Sequence, residues 1–144
     1  MKAIFLDIDG VLITNRSLAA SIGKGISLSN QVDSLCVKEF NRIIDQTHAE
    51  IIISSTWRRY WNDPLDAMLE FHLANIRGAI TAFTPVLETG RGTEIEFCIT
   101  PDMRYAILDD EIHDIRFPVF QTSMEFGLTR EIADSVITHL NTEE

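Results

Sequence analysis

An α/β fold with a central parallel sheet of about five strands and helices on both faces is predicted by three observations. Short apolar runs alternate with amphipathic stretches about five times along the 144 residues. The runs are nearly continuous and rich in β-branched residues, as strands buried on both faces require. Three of them end in acidic or hydroxyl residues, which gathers chemistry at the C-terminal edge of the sheet, where ligands of such folds bind.

Each element has its own local warrant. Ala3-Ile4-Phe5-Leu6 is an apolar run ending at Asp7-Ile8-Asp9-Gly10 and reads as a buried strand entering a turn. A polar, glycine-containing stretch follows from Thr14 to Asn30. Val32, Leu35, Cys36, Phe40, Ile43 and Ile44 then recur at helical spacing, with Ser29 and Asn30 as candidate N-caps. Ile51-Ile52-Ile53 is a second strand, ended by Ser54-Ser55-Thr56. Asp63-Pro64 supplies an N-cap and an N1 proline for a helix carrying Leu65, Met68, Leu69 and Leu73 to about Ile76, with Gly78 as its stop. Ala79 to Phe83 predicts a third strand and Thr93 to Ile99 a short helix. Tyr105-Ala106-Ile107-Leu108, ending in Asp109-Asp110-Glu111, repeats the pattern of the first strand. Phe117-Pro118-Val119-Phe120 predicts an edge strand, because proline is tolerated there. Gly127-Leu128-Thr129 caps a last helix bearing Ile132, Ala133, Val136, Ile137 and Leu140.

Composition narrows the class. With 45% hydrophobic and 24% charged residues the chain matches a soluble globular domain, not a disordered one. Twelve Lys and Arg stand against 22 Asp and Glu, a net charge of −10, which argues against an extended nucleic-acid groove or an anionic membrane surface. No internal repeat or linker divides the sequence, so residues 1–144 are expected to form one domain. The apolar start is broken by Asp7 and Asp9, so it does not read as a signal peptide, and no long apolar stretch reads as a membrane span. Cys36 and Cys98, with no CxxC spacing, read as reduced thiols, and the expected location is cytoplasmic.

Carboxylates at the end of an apolar strand are costly unless they are hydrogen-bonded, protonated or metal-bound. Asp7 and Asp9 at one strand end and Asp109 and Asp110 at another would bring about four negative charges within a few ångströms. A divalent cation resolves the repulsion. An all-oxygen donor set, without His or Cys at metal spacing, favours Mg²⁺. His48, His72, His113 and His139 share no such spacing and read as structural or surface residues.

On these residues the sequence resembles the haloacid dehalogenase (HAD) superfamily. Phe5-Leu6-Asp7-Ile8-Asp9-Gly10-Val11-Leu12 is similar to its motif I, hhhhDxDGxL. Ile51-Ile52-Ile53-Ser54 resembles motif II, and Ala106-Ile107-Leu108-Asp109-Asp110 the acidic motif IV, with Arg91 the best-placed basic residue for motif III. The resemblance implies a three-layer Rossmann-like fold and a Mg²⁺-dependent phosphomonoesterase. Asp7 would be the nucleophile that forms an aspartyl-phosphate, and Asp9 the acid and base. Ser54 would hold phosphoryl oxygens, with Ser55 an equal candidate by position, and Arg91 would stabilise the transferring charge. Asp7, the Asp9 carbonyl and Asp110 would bind the metal, with Asp109 ligating directly or through water; Asp114 fits the acid that sometimes follows motif IV. The gaps between motifs, 13–50 and 56–90, have no room for a cap domain.

A finer resemblance is carried by Ser54-Ser55-Thr56-Trp57-Arg58, Thr84-Pro85, Arg91-Gly92-Thr93-Glu94-Ile95 and Gly127-Leu128-Thr129. These are similar to the small HAD domains of bacterial and phage RNA-repair proteins of the Swiss Army Knife type, relatives of the phosphatase half of polynucleotide kinase-phosphatases. It implies a nucleotide or a nucleic-acid end as substrate, with Trp57 stacking a terminal base and Arg58 contacting phosphate. A small-molecule phosphatase, and a catalytically weak domain serving as an interaction module, are the alternatives.

Overall fold

The computed structural model describes residues 1–112 and 118–142. Its strands are β1 (Lys2–Leu6), β2 (Glu50–Ile53), β3 (Ile80–Phe83), β4 (Arg104–Asp109) and β5 (Val119–Gln121). Its helices are α1 (Asn15–Ala20), α2 (Leu28–Gln31), α3 (Ser34–Thr47), α4 (Pro64–Leu73), α5 (Arg91–Cys98) and α6 (Arg130–Asn141), with a 3₁₀ turn at Thr56–Tyr60. All strands run parallel in the order β3-β2-β1-β4-β5. The chain steps outward from β1 through β2 to β3, then crosses to the far side of β1 to lay down β4. The switch point therefore falls between β1 and β4, whose ends carry Asp7 and Asp109.

The central position of β1 accounts for its unbroken apolar run. Ile4 and Leu6 face a core shared with α3, α4 and α6, while Ala3 and Phe5 face Ile52, Ile107 and Ile95 of α5. Because side chains alternate along a strand, both faces must be apolar when both are covered. The predicted alternation and the helix layers on both faces are borne out, and β5 is indeed an edge strand. Phe117 lies outside the described residues. No helix among the described residues is long and apolar enough to cross a membrane.

Four local expectations are corrected. The polar stretch from Thr14 to Asn30, for which the sequence predicts no helix, holds α1 and most of α2. The N-cap of α3 is Asp33, not Ser29 or Asn30: Asp33 Oδ1 accepts the Leu35 N–H, and Oδ2 accepts from Thr14 Oγ1 and Arg16 Nη2. Val32 is extended between α2 and α3, which turns Leu35 outward. On α4 the leucines are on the wrong side of the expectation. Leu65, Leu69 and Leu73 are 76%, 63% and 63% exposed, while Ala67 and Phe71 are buried. Finally, α4 stops at Asn75, whose φ of 60° takes the left-handed role assigned to Gly78. Gly78 has a role of its own at a φ of +110°, where a Cβ would also crowd Ile51 Cδ1 at 2.7 Å.

Candidate active site

The β-ladder continues one step beyond the strands and fixes a row of side chains at their C-terminal ends. Asp7 N–H donates to Leu108 O (3.0 Å), Ser54 N–H to Leu6 O (2.9 Å) and Thr84 N–H to Ile53 O (3.0 Å). With Leu6 in register with both Ile53 and Leu108, Asp7 lies between Ser54 and Asp109. Asp7 is 5% exposed and Asp109 1% exposed. One carboxylate oxygen from each of Asp7, Asp109 and Asp110 lies within 4.8 Å of the others.

Against these three carboxylates the site sets one guanidinium. Arg91 Nη1 lies 3.3 Å from Asp7 Oδ2 and 3.0 Å from Asp109 Oδ2. Burial first, then the charge of Asp109, pushes the Asp7 carboxyl up to about 8, although Arg91 and the Ile8 N–H pull it down. The Asp110 carboxyl is also raised, by burial and by Asp109, against a lowering hydrogen bond with Asp7. The trio thus holds a proton near neutral pH for want of a second positive charge. Its donor set is all oxygen and it is short of positive charge, so it fits a hard divalent cation such as Mg²⁺.

The turn after β1 brings Asp110 close to the backbone. Ile8 O accepts from the N–H groups of Val11, Leu12 and Ile13, and Gly10 N–H donates to Ile13 O. Gly10 has φ of +81°, and a Cβ on it would sit 2.5 Å from the Asp110 carboxylate, so glycine is needed both for the backbone and for the space. The Asp9 carboxylate stays outside the trio. It is exposed, and Oδ1 accepts a hydrogen bond from Trp57 Nε1 at 3.2 Å.

The exit of β2 separates the two serines. Ser55 Oγ accepts the Trp57 N–H and caps the 3₁₀ turn. Ser54 Oγ is buried and has no hydrogen-bond partner among the described residues. A buried hydroxyl without a partner is costly in a finished core and is explained at a ligand site. Of the two serines, Ser54 is the one whose hydroxyl is uncommitted.

Two of the expected substrate contacts are engaged within the fold. Trp57 is 5% exposed and packs beside Tyr60 and Trp61, with centroids at 5.4 and 6.0 Å, so little of its ring is open, and its indole N–H is given to Asp9. Arg58 is likewise engaged. Its Nη2 pairs with buried Glu94 at 2.9 Å and its Nη1 donates to Thr84 Oγ1. Glu94 Oε2 also accepts the Leu87 N–H at 2.7 Å. Burial raises the Glu94 carboxyl, but the Leu87 and Arg58 hydrogen bonds outweigh it and hold the group below its usual value. Arg58 thereby ties the β2 exit and the end of β3 to the helix whose first residue is Arg91.

Asp7, Asp109, Asp110 and Arg91 are brought together, Ser54 lies beside Asp7 along the row, and Asp9 is held by Trp57. Asp114 and His113 lie outside the described residues. His139 bonds to Tyr105 O at 2.8 Å and His48 ends α3 in the left-handed conformation, so both have the structural roles expected of them. The Glu94 and Thr84 anchor was not legible in the sequence, nor was Thr122, one residue beyond β5, whose buried Oγ1 has no partner among the described residues. A threonine after an edge strand carries no local signal of this. The two thiols are unbridged, and burial raises Cys36 to about 11, in keeping with an inert thiol. A pocket of about 690 Å³ lies between α3 and the end of α4, away from the strand ends, and its Arg42 and Arg77 are already paired with acids.

A protein-family model described as "HAD domain in Swiss Army Knife RNA repair proteins" matches residues 3–133. No curated protein and no solved structure matches the chain.

Proposed function

We infer the activity from two premises: the chain belongs to the family of HAD domains in Swiss Army Knife RNA repair proteins, and its strand ends carry a charge-deficient acidic trio. The proposed function is Mg²⁺-dependent hydrolysis of a phosphomonoester through an aspartyl-phosphate. Family membership supports a phosphatase-type hydrolase, and the description of its members supports a nucleotide or nucleic-acid terminus as the substrate. The net charge of −10 favours a terminus over an extended strand. Residues 1–144 act as one domain in this reading.

The observation that carries it is the convergence on Asp7. The carboxylate is nearly buried, stands between Ser54 and Asp109, and is contacted by Arg91. An oxygen of Asp7 attacks phosphorus, and the bond from phosphorus to the leaving oxygen breaks as Asp9 delivers a proton to that oxygen. Asp9 then takes a proton from water, whose oxygen attacks the same phosphorus; inorganic phosphate leaves and the Asp7 carboxylate is restored. Arg91 changes partners from the carboxylates to the phosphoryl oxygens, and Ser54 Oγ donates its unused hydrogen bond to one of them. Asp7, the Asp9 carbonyl and Asp110 would hold Mg²⁺, with Asp109 adjoining. The cation, when bound, neutralises carboxylate and phosphoryl charge. Trp57 keeps Asp9 outside the trio and free to move protons.

Phosphate release with Mg²⁺ should be measured over nucleotides, sugar phosphates and oligonucleotides phosphorylated at the 3′ or 5′ end. Activity is expected to vanish with EDTA and with Asp7→Asn. Undiminished turnover by Asp7→Asn would rule out the covalent route, and oligonucleotide ends turned over no better than sugar phosphates would remove the repair reading.

A further inference from the structure

The site has a second compartment on the side of Asp9. A pocket of about 170 Å³ is lined by Asp9, Ile26, Gln31, Arg59 and Tyr60, with Thr56 and the nearly buried Trp57 also on its wall. That volume suits one planar ring, since a cavity of about 150 Å³ accepts a benzene-sized ligand, and it is smaller than the roughly 300 Å³ at which pockets take whole drug-sized molecules. Its walls are of two kinds. Tyr60 is 58% exposed and Ile26 is 73% exposed, so an aromatic and a branched apolar surface both face solvent beside a catalytic acid. Gln31 adds an amide able both to donate and to accept hydrogen bonds.

Arg59 supplies the charge. Its guanidinium carbon lies 5.5 Å from the Tyr60 ring centroid, and among the described residues no carboxylate pairs with it. The neighbouring Arg58 has the opposite fate, buried against Glu94. In a chain carrying ten net negative charges, an exposed arginine unpaired beside a proton-transfer carboxylate is poised for an anion. That anion is separate from the reacting phosphate, which the proposed mechanism assigns to Arg91 and Ser54, neither of which lines this pocket.

We propose that this pocket is the leaving-group subsite: the terminal base lies against Tyr60 and Ile26, and Arg59 binds the phosphodiester that joins this nucleotide to the next. The inference rests on the phosphatase reading and deepens it. It makes the preferred substrate at least two nucleotides long, because a mononucleotide fills the ring compartment and leaves Arg59 without its anion.

The test compares kcat/KM, in saturating Mg²⁺, for acetyl phosphate, a nucleoside monophosphate, and dinucleotides carrying a terminal phosphate at the 3′ or the 5′ end. In the unaltered protein one dinucleotide should exceed its mononucleotide about tenfold. Arg59→Ala should collapse that preference and Arg59→Lys should keep part of it. Tyr60→Ala should lower the ratio of mononucleotide to acetyl phosphate about tenfold, as expected for loss of one stacked base, and Tyr60→Phe should retain it. Equal dinucleotide and mononucleotide values, or ratios that Arg59→Ala and Tyr60→Ala leave in place, would overturn the proposal while the phosphatase stands. If no substrate is turned over, the phosphatase reading fails. Titration of Asp7→Asn with the same dinucleotides then decides the subsite, with weaker binding on adding Arg59→Ala or Tyr60→Ala supporting it and unchanged binding refuting it.

Discussion

Replacing Asp7 by Asn should stabilise the metal-free protein while abolishing the chemistry. The unfolded Asp7 carboxyl gives up its proton near 3.8, whereas burial and Asp109 hold the folded one to about 8. Between those values the folded state carries a proton that the unfolded state has lost, so stability falls as pH rises through this window. At pH 7 the span above 3.8 is about 3 pH units, and at 1.36 kcal/mol per unit the folded state is penalised by about 4 kcal/mol. At pH 4 the penalty is under about 1 kcal/mol. Asparagine keeps the shape of the neutral acid and carries no such penalty. Urea unfolding in EDTA should therefore show Asp7→Asn more stable than the unaltered protein by up to about 4 kcal/mol at pH 7, with the curves converging towards pH 4. Adding Mg²⁺ should recover stability in the unaltered protein, by about 4 kcal/mol at a thousand times its dissociation constant, and much less in the variant. A difference between the two proteins that stays constant from pH 4 to pH 7 would refute the charge-deficient trio.

Three further outcomes follow from the site's supports. Ser55→Ala should cost about 1 kcal/mol, the worth of an N-cap, with activity largely kept; Ser54→Ala should leave the unfolding midpoint near its original value but lower kcat/KM, and the reverse pattern would exchange the two roles. Arg58→Met leaves Glu94 buried without its ion-pair partner and should cost about 3–5 kcal/mol, while Arg58→Met with Glu94→Leu recovers much of that stability without recovering phosphate release, because the start of α5 has lost its anchor. Gly10→Ala forces a side chain into a φ of +81° and against Asp110, so a stability loss of about 1–3 kcal/mol should accompany weaker Mg²⁺ binding by calorimetry, and unchanged affinity would contradict the close approach.

Much of this protein was legible locally. Ala3 to Leu6, Ile51 to Ile53 and Tyr105 to Leu108 are apolar because central parallel strands are covered twice, and that requirement writes itself into consecutive residues. Asp63 and Pro64 begin α4 as their short-range geometry demands. Asp7, Asp109 and Asp110 were visible because acids at the end of a buried strand break its pattern. The face of α4 was not legible: Leu65, Ala67, Met68, Leu69, Phe71 and Leu73 are apolar around the whole helix, so no periodicity says which side meets β3.

The strands, the alternation of the α/β fold and the edge at which its acids gather follow from the order of residues alone, since each depends on neighbours in the chain. Packing in three dimensions sets which serine is uncommitted, that Trp57 holds Asp9, and that Arg58 is an anchor while Arg59 stays open. Those outcomes depend on what lies across the sheet edge. Ser54 and Ser55 share a composition and a neighbourhood, and differ in that one N–H, that of Trp57, is within reach of Ser55 alone. Arg58 and Arg59 differ because consecutive side chains on a tight turn point different ways, and only one direction leads to Glu94.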